Sequence, residues 1–139
     1  MRHAIAILAP TVLAPAVLAL TIGTAALAGD VPVETSELGE SVILLHVHPF
    51  LTEEELATLR LVGSNKDALA LFVPEGGGHA AIAVAPEEGF VRAGVPVASA
   101  TAVAKLPDAE TAQKDALEGC DAARTTKTAC VLVLEVAAP

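Results

Sequence analysis

Polar and apolar positions divide the chain into short runs of two different periods. Ser41-Val-Ile-Leu-Leu-His-Val-His48 is a compact apolar run closed by Pro49, and it predicts a strand. Leu56, Leu59 and Val62 then recur at helical spacing behind Thr52-Glu-Glu-Glu55. That tetrad has the form of a capping box, in which the Thr52 hydroxyl and the Glu55 carboxylate each satisfy a backbone N–H left free at a helix start. Leu51 and Leu56 are placed as a hydrophobic staple, and Gly63-Ser-Asn65 ends the helix. Asp67 to Val73 reads as a strand and Ala80 to Ala85 as a second one. Pro74-Glu-Gly-Gly-Gly-His79 between them is the turn of a hairpin. Pro86-Glu-Glu-Gly89 is another turn. Phe90 to Val97, with Gly94 and Pro96, predicts loop with a short extended piece, and Ser99 to Leu106 suits a helix or a strand equally. Gly29 to Glu40 is acidic and irregular, and predicts a flexible lead-in.

The last third of the chain has the firmest pattern. Asp108 to Cys120 predicts a helix, with the Asp108 carboxylate as its cap and Glu110 at the positive end of its dipole. Ala112, Ala116, Leu117 and Cys120 fall on one stripe, while Glu110, Lys114 and Glu118 lie on a solvated face. Gly119 is a stop signal. Cys130 to Val136 is nearly continuous in apolar side chains, which predicts a central strand with Cys130, Leu132, Leu134 and Val136 on one face. Packing the stripe on that face brings Cys120 to Cys130. A disulfide between them closes a short polar loop and adds roughly 2.5–3 kcal/mol in the chain-entropy model. The expected fold is α+β: a small antiparallel sheet of three to four strands, two or three helices packed on one face, and one disulfide.

Residues 1–28 change the picture of where this domain works. Arg2 precedes an apolar stretch from Ala4 to Leu27, and Ala26-Leu27-Ala28 matches a cleavage site for export, leaving Gly29 first. The run is long enough to span a bilayer, so an uncleaved anchor is the other reading; Pro10 and Pro15 interrupt it. After cleavage the expectation is residues 29–40 as lead-in, residues 41–139 as one domain, and no stable membrane span. The expected location is the periplasm or the exterior, an oxidising compartment that suits the cysteine pair. The formal net charge of −9 becomes −10 once Arg2 is removed. Such a balance disfavours phosphate backbones and anionic lipid surfaces. Absence of Trp and Tyr, with only three Phe, argues against both recognition surfaces and base-stacking platforms, which usually use such rings.

Candidate chemistry is sparse. His46 and His48 sit at i and i+2, so in a strand both imidazoles address one side, where they are candidate ligands for zinc or copper(II). His79, in the predicted turn, is a candidate third ligand, and one of Glu53, Glu54 or Glu55 a source of oxygen. The competing reading is that these histidines form a polar outer face. Gly76-Gly-Gly78 lacks the helix and the Lys or Ser/Thr that a phosphate loop needs, and reads as a turn. No nucleophile elbow is present, and Ser41, Ser64 and Ser99 have no marked catalytic partner. No catalytic residue and no cofactor site is assigned.

Ala112-x-x-x-Ala116-Leu117-x-x-Cys120 followed by Cys130-Val-Leu-Val resembles a pattern in small exported bacterial proteins of unknown role. Leu59-Arg60, Ala68-Leu-Ala-Leu-Phe72 and Ala85-Pro-Glu-Glu-Gly-Phe-Val91 are similar to one such group, from purple bacteria, whose members sometimes carry the name 5-aminolevulinate synthase. That name implies a large pyridoxal-phosphate enzyme with a buried Schiff-base lysine. The lysines after residue 28 are Lys66, Lys105, Lys114 and Lys127, each in a predicted loop, turn or solvated face. The expectation is therefore an exported, non-catalytic module that binds a protein or an envelope component, with metal binding through His46 and His48 as the alternative.

Overall fold

A computed structural model describes residues 30–73 and 77–139. The expected export signal, and Pro74 to Gly76 of the predicted hairpin turn, lie outside the described residues. Seven strands and three helices follow one another as β1 (Val33–Leu38), β2 (Ser41–His46), α1 (Glu53–Ser64), α2 (Lys66–Phe72), β3 (Gly78–Val84), β4 (Val91–Arg92), β5 (Val95–Pro96), β6 (Thr101–Leu106), α3 (Ala109–Ala123) and β7 (Val131–Ala138). Five strands form one sheet in the order β1-β2-β7-β3-β6, every pairing antiparallel; β4 and β5 form a separate hairpin. The α+β class and the disulfide are as the sequence predicts, with more strands than expected.

Helices cover both faces of the sheet, not one. Even-numbered β3 residues (Ala80, Ile82, Val84) join Ile43 and Leu45 of β2 and Leu56, Leu59 and Leu69 of α1 and α2 in one cluster. The odd-numbered Ala81 and Ala83, with Ala85 just past the strand, join Ala112, Ala116, Cys120 and Cys130 in a second cluster under α3. From Ala80 to Val84 β3 is apolar and buried at every position, and so presents a buried face to each layer.

β7 reaches both layers by a bulge. Ile82 pairs with Leu134 but Ala83 with Leu132, so Val133 is an extra residue on β7. Cys130 and Leu132 lie on the α3 side, whereas Val133, Leu134 and Val136 lie on the other. The single face expected for Cys130, Leu132, Leu134 and Val136 is thus split by one unpaired residue.

Local chemistry explains the other departures. Asp67 to Val73 is helical because Asn65 both ends α1, donating its N–H to Leu61 C=O, and caps α2, its side chain accepting from the Asp67 and Ala68 N–H groups. No hairpin joins residues 68–73 to β3, which pairs with β6 and β7 instead. The expected lead-in contains β1, joined to β2 through Gly39-Glu40 with Gly39 at φ +66°. The helix α3 runs past Gly119 to Ala123. Gly119 is there for space: a Cβ would lie 2.8 Å from Thr101 Cγ2 of β6. The ambiguous segment Ser99 to Leu106 resolves into β6.

Candidate functional site

On β2, Ile43 and Leu45 point to the α1–α2 layer, which turns Val42, Leu44 and His46 to the α3 side. Helix α3 packs there mainly against β3, β6 and β7. The same side of β1 and β2 therefore stays open. Register places Val33 beside His46, Thr35 beside Leu44 and Glu37 beside Val42 on it. Val33 is 48% and Val42 38% exposed, a high value for large apolar side chains on a sheet.

Glu135 marks the boundary between the open and covered halves. It is the lone charged residue of β7, opposite Leu44 on one side and Ala81 on the other. His46 Nε2–H donates to its Oε2 at 2.6 Å, and the Gln113 amide of α3 donates to its Oε1 at 2.5 Å. One carboxylate thus ties β2, β7 and α3 together by charge-assisted bonds.

His48 lies just past β2. Its Nε2–H donates to the Leu132 carbonyl at 2.8 Å, next to the bulge, and its ring stacks on Phe50 at 5.2 Å between centroids. The His46 and His48 rings stand 6.3 Å apart. His79 lies not in the predicted turn but on β3, paired with Ala137 of β7, while His46 lies one residue past the Leu45–Leu134 pair. That offset is about 13 Å along the strands at ~3.3 Å per residue. His79 instead lines a hollow of about 100 Å³ with Val42, Leu44, Ala109 and Glu135. The structure thus brings His46 and His48 together and leaves His79 apart. Among the described residues no three His, Cys, Asp or Glu side chains are grouped as a metal ion requires.

The glutamates offered as an oxygen source divide. Glu53 and Glu54 are exposed, whereas Glu55 is only 1% exposed. Its Oε2 accepts from Thr52 N–H at 2.9 Å, completing the capping box. Its Oε1 accepts from Phe90 N–H, Val91 N–H and Arg92 Nη1 at 2.8, 3.0 and 2.6 Å. Burial pushes this carboxyl up, but the bonds from Thr52, Val91, Phe90 and Arg92 outweigh it and hold the pKa at about 2. Glu55 anchors the β4–β5 hairpin to α1.

The disulfide joins Cys120 of α3 to Cys130 at the foot of β7, with Cα atoms 6.1 Å apart. The loop it closes is held from outside as well. Glu88 accepts from Thr125 N–H at 2.6 Å, Thr126 N–H at 3.1 Å, both threonine hydroxyls, and the buried Ser99 hydroxyl. Those donors, Ser99 first, hold its pKa at about 2. Asp121 accepts from Cys130 N–H and from Arg124 Nε, which lowers its pKa. Lys66, Lys105, Lys114 and Lys127 are all exposed, so none has the burial a Schiff-base lysine needs.

Sequence reasoning missed Glu135, Gln113 and Glu88. Glu135 left a signal, since a single carboxylate inside an apolar strand must find donors. Glu88 left none, its donors being more than ten residues away in each case. No protein-family model matches the chain, and no curated protein or solved structure is significantly similar to it.

Proposed function

We propose that this chain is an exported, non-catalytic binding module that docks another protein or an envelope component on the open half of its sheet. One observation carries the reading: α3 packs mainly on β3, β6 and β7, leaving Val33 and Val42 exposed and Leu44 half-buried beside the His46–Glu135 pair. A buried face would have been cheaper for such side chains, and exposed apolar surface on a sheet commonly marks a contact site. The strongly held carboxylates, Glu55, Glu88 and Asp121, serve the fold rather than a reacting centre. A disulfide between buried cysteines is compatible with an oxidising compartment.

The test is a comparative capture from the envelope fraction. The tagged protein and its Val42→Lys and Leu71→Lys variants serve as baits, Leu71 being an exposed site on α2, away from the open half-sheet. At least one protein should be retained by the parent and by Leu71→Lys but lost by Val42→Lys. Identical retention by all three baits contradicts the assignment of the surface. N-terminal sequencing of the periplasmic protein should begin at Gly29; a chain still starting at Met1 contradicts cleavage.

A further inference from the structure

The two edges of the five-stranded sheet are built differently. In β6, His79 pairs with Leu106 but Ala81 with Val103, so the strand carries an extra residue, and Lys105 there has φ +62°. A bulge with a lysine is a common means of keeping further strands off an edge. β1 has neither. Its six residues pair with β2 without a register break and include no Lys and no Pro.

The direction of its free backbone groups follows from the turn. Gly39 and Glu40 form a two-residue hairpin loop, so Leu38 and Ser41 exchange both backbone bonds, and the pattern alternates from there. At the far end Val47 N–H donates to Pro32 C=O at 2.8 Å, in the same phase. Glu34, Ser36 and Leu38 therefore turn their backbone groups to β2. Val33, Thr35 and Glu37 turn theirs outward, and their side chains lie on the open face.

Charge selects the occupant. Pairing two copies through β1 would bring Glu34 and Glu37 of each into one strand pair, between chains of formal net charge −9. The nearby Arg60 is already bound to Glu34, at 2.7 and 3.0 Å. Like charge on both partners opposes that association, whereas a basic strand meets complementary charge. We propose that β1 is the docking edge for an extended, lysine- or arginine-bearing segment of another protein, which adds to the sheet as a sixth strand. Its basic side chains meet Glu37 on the open face, and its apolar ones, alternating with them, fall on the other face beside Leu38. This rests on the binding-module reading and names the partner's chemistry.

Amide hydrogen exchange by NMR on the purified protein tests it, with a synthetic ten-residue peptide of alternating Val and Lys as the probe and its Val–Glu counterpart as the control. The Val–Lys peptide should slow exchange at Thr35 and Glu37 at least tenfold, and the control should leave them unchanged. Thr35→Pro removes an outward N–H that β2 does not use, so it should weaken the peptide at least tenfold with the inner ladder intact. Glu37→Gln, a surface change that spares the backbone, should weaken it several-fold. Binding unaltered by both variants overturns the proposal. Protection at Thr35 and Glu37 that grows with protein concentration alone overturns it too, by making a second copy the occupant. If the peptide fails while the Val42→Lys bait still loses its partner, the edge assignment falls and the binding-module reading stands.

Discussion

Glu55 and Glu88 each gather donors from several separate segments, and this sets how the protein responds to acid. Both titrate at about 2 in the folded chain against 4.5 for a free glutamate. A lowered folded pKa means that the unfolded chain binds more protons as pH falls. The stability these groups contribute is therefore complete above about pH 4.5 and drains away as pH falls toward 2. For Glu55, a shift of that size corresponds to up to roughly 3 kcal/mol. Urea unfolding of the parent and of Glu55→Gln at pH 7, 5, 4 and 3 checks this. The variant should be less stable at pH 7, and its stability should fall less steeply between pH 5 and 3. Parallel pH profiles contradict the role given to this carboxylate.

Elements whose own residues carry their start and stop signals were legible in the sequence. Thr52 and Glu55 define the start of α1, Asp108 that of α3, and the Ala112, Ala116 and Cys120 stripe the buried side of α3. Where a partner decides, the sequence misleads. Ala68-Leu-Ala-Leu alternates like a strand, yet α2 forms because the Asn65 side chain caps it. β1 looks too polar to be ordered and exists because β2 pairs with it at six positions. The open half-sheet was hidden for a related reason: without the Val133 bulge, nothing tells which side of β7 meets α3. Gly119 gives a test at this scale. In a solvated helix Gly→Ala adds about 1 kcal/mol of stability. Here the added Cβ meets Thr101 Cγ2 at 2.8 Å, so Gly119→Ala should lower the melting temperature. Restoring space with Thr101→Ser, which deletes that methyl, should recover part of the loss. A more stable single variant contradicts the close approach of α3 to β6.

The molecule as a whole is a sheet with helices on both faces and one quarter left bare. The side under α3 is lined by Ala81, Ala83, Ala85, Ala112 and Ala116, small residues that let helix and sheet approach closely but bury little area each. The Cys120–Cys130 bond supplements that thin layer, at roughly 2.5–3 kcal/mol for a loop this short. The Cys120→Ala/Cys130→Ala double variant should lose about that amount in chemical unfolding. Glu88 and Asp121 should keep its 121–129 loop in place under native conditions, through the bonds they accept from Thr125, Thr126 and Cys130. An unaltered unfolding free energy contradicts the contribution given to the disulfide. The function proposed for the bare quarter depends on α3 staying where this clasp holds it.

Methyl–methyl nuclear Overhauser contacts in the oxidised protein test that arrangement most directly. The methyls of Leu132 should report contacts to the α3 alanines, those of Leu134 contacts to Leu59 of α1, and those of Val33 and Val42 no contact to α3 beyond Ala109. Contacts from Leu132 and Leu134 to the same helix, or from Val33 to the middle of α3, contradict both the two-sided sheet and its open quarter.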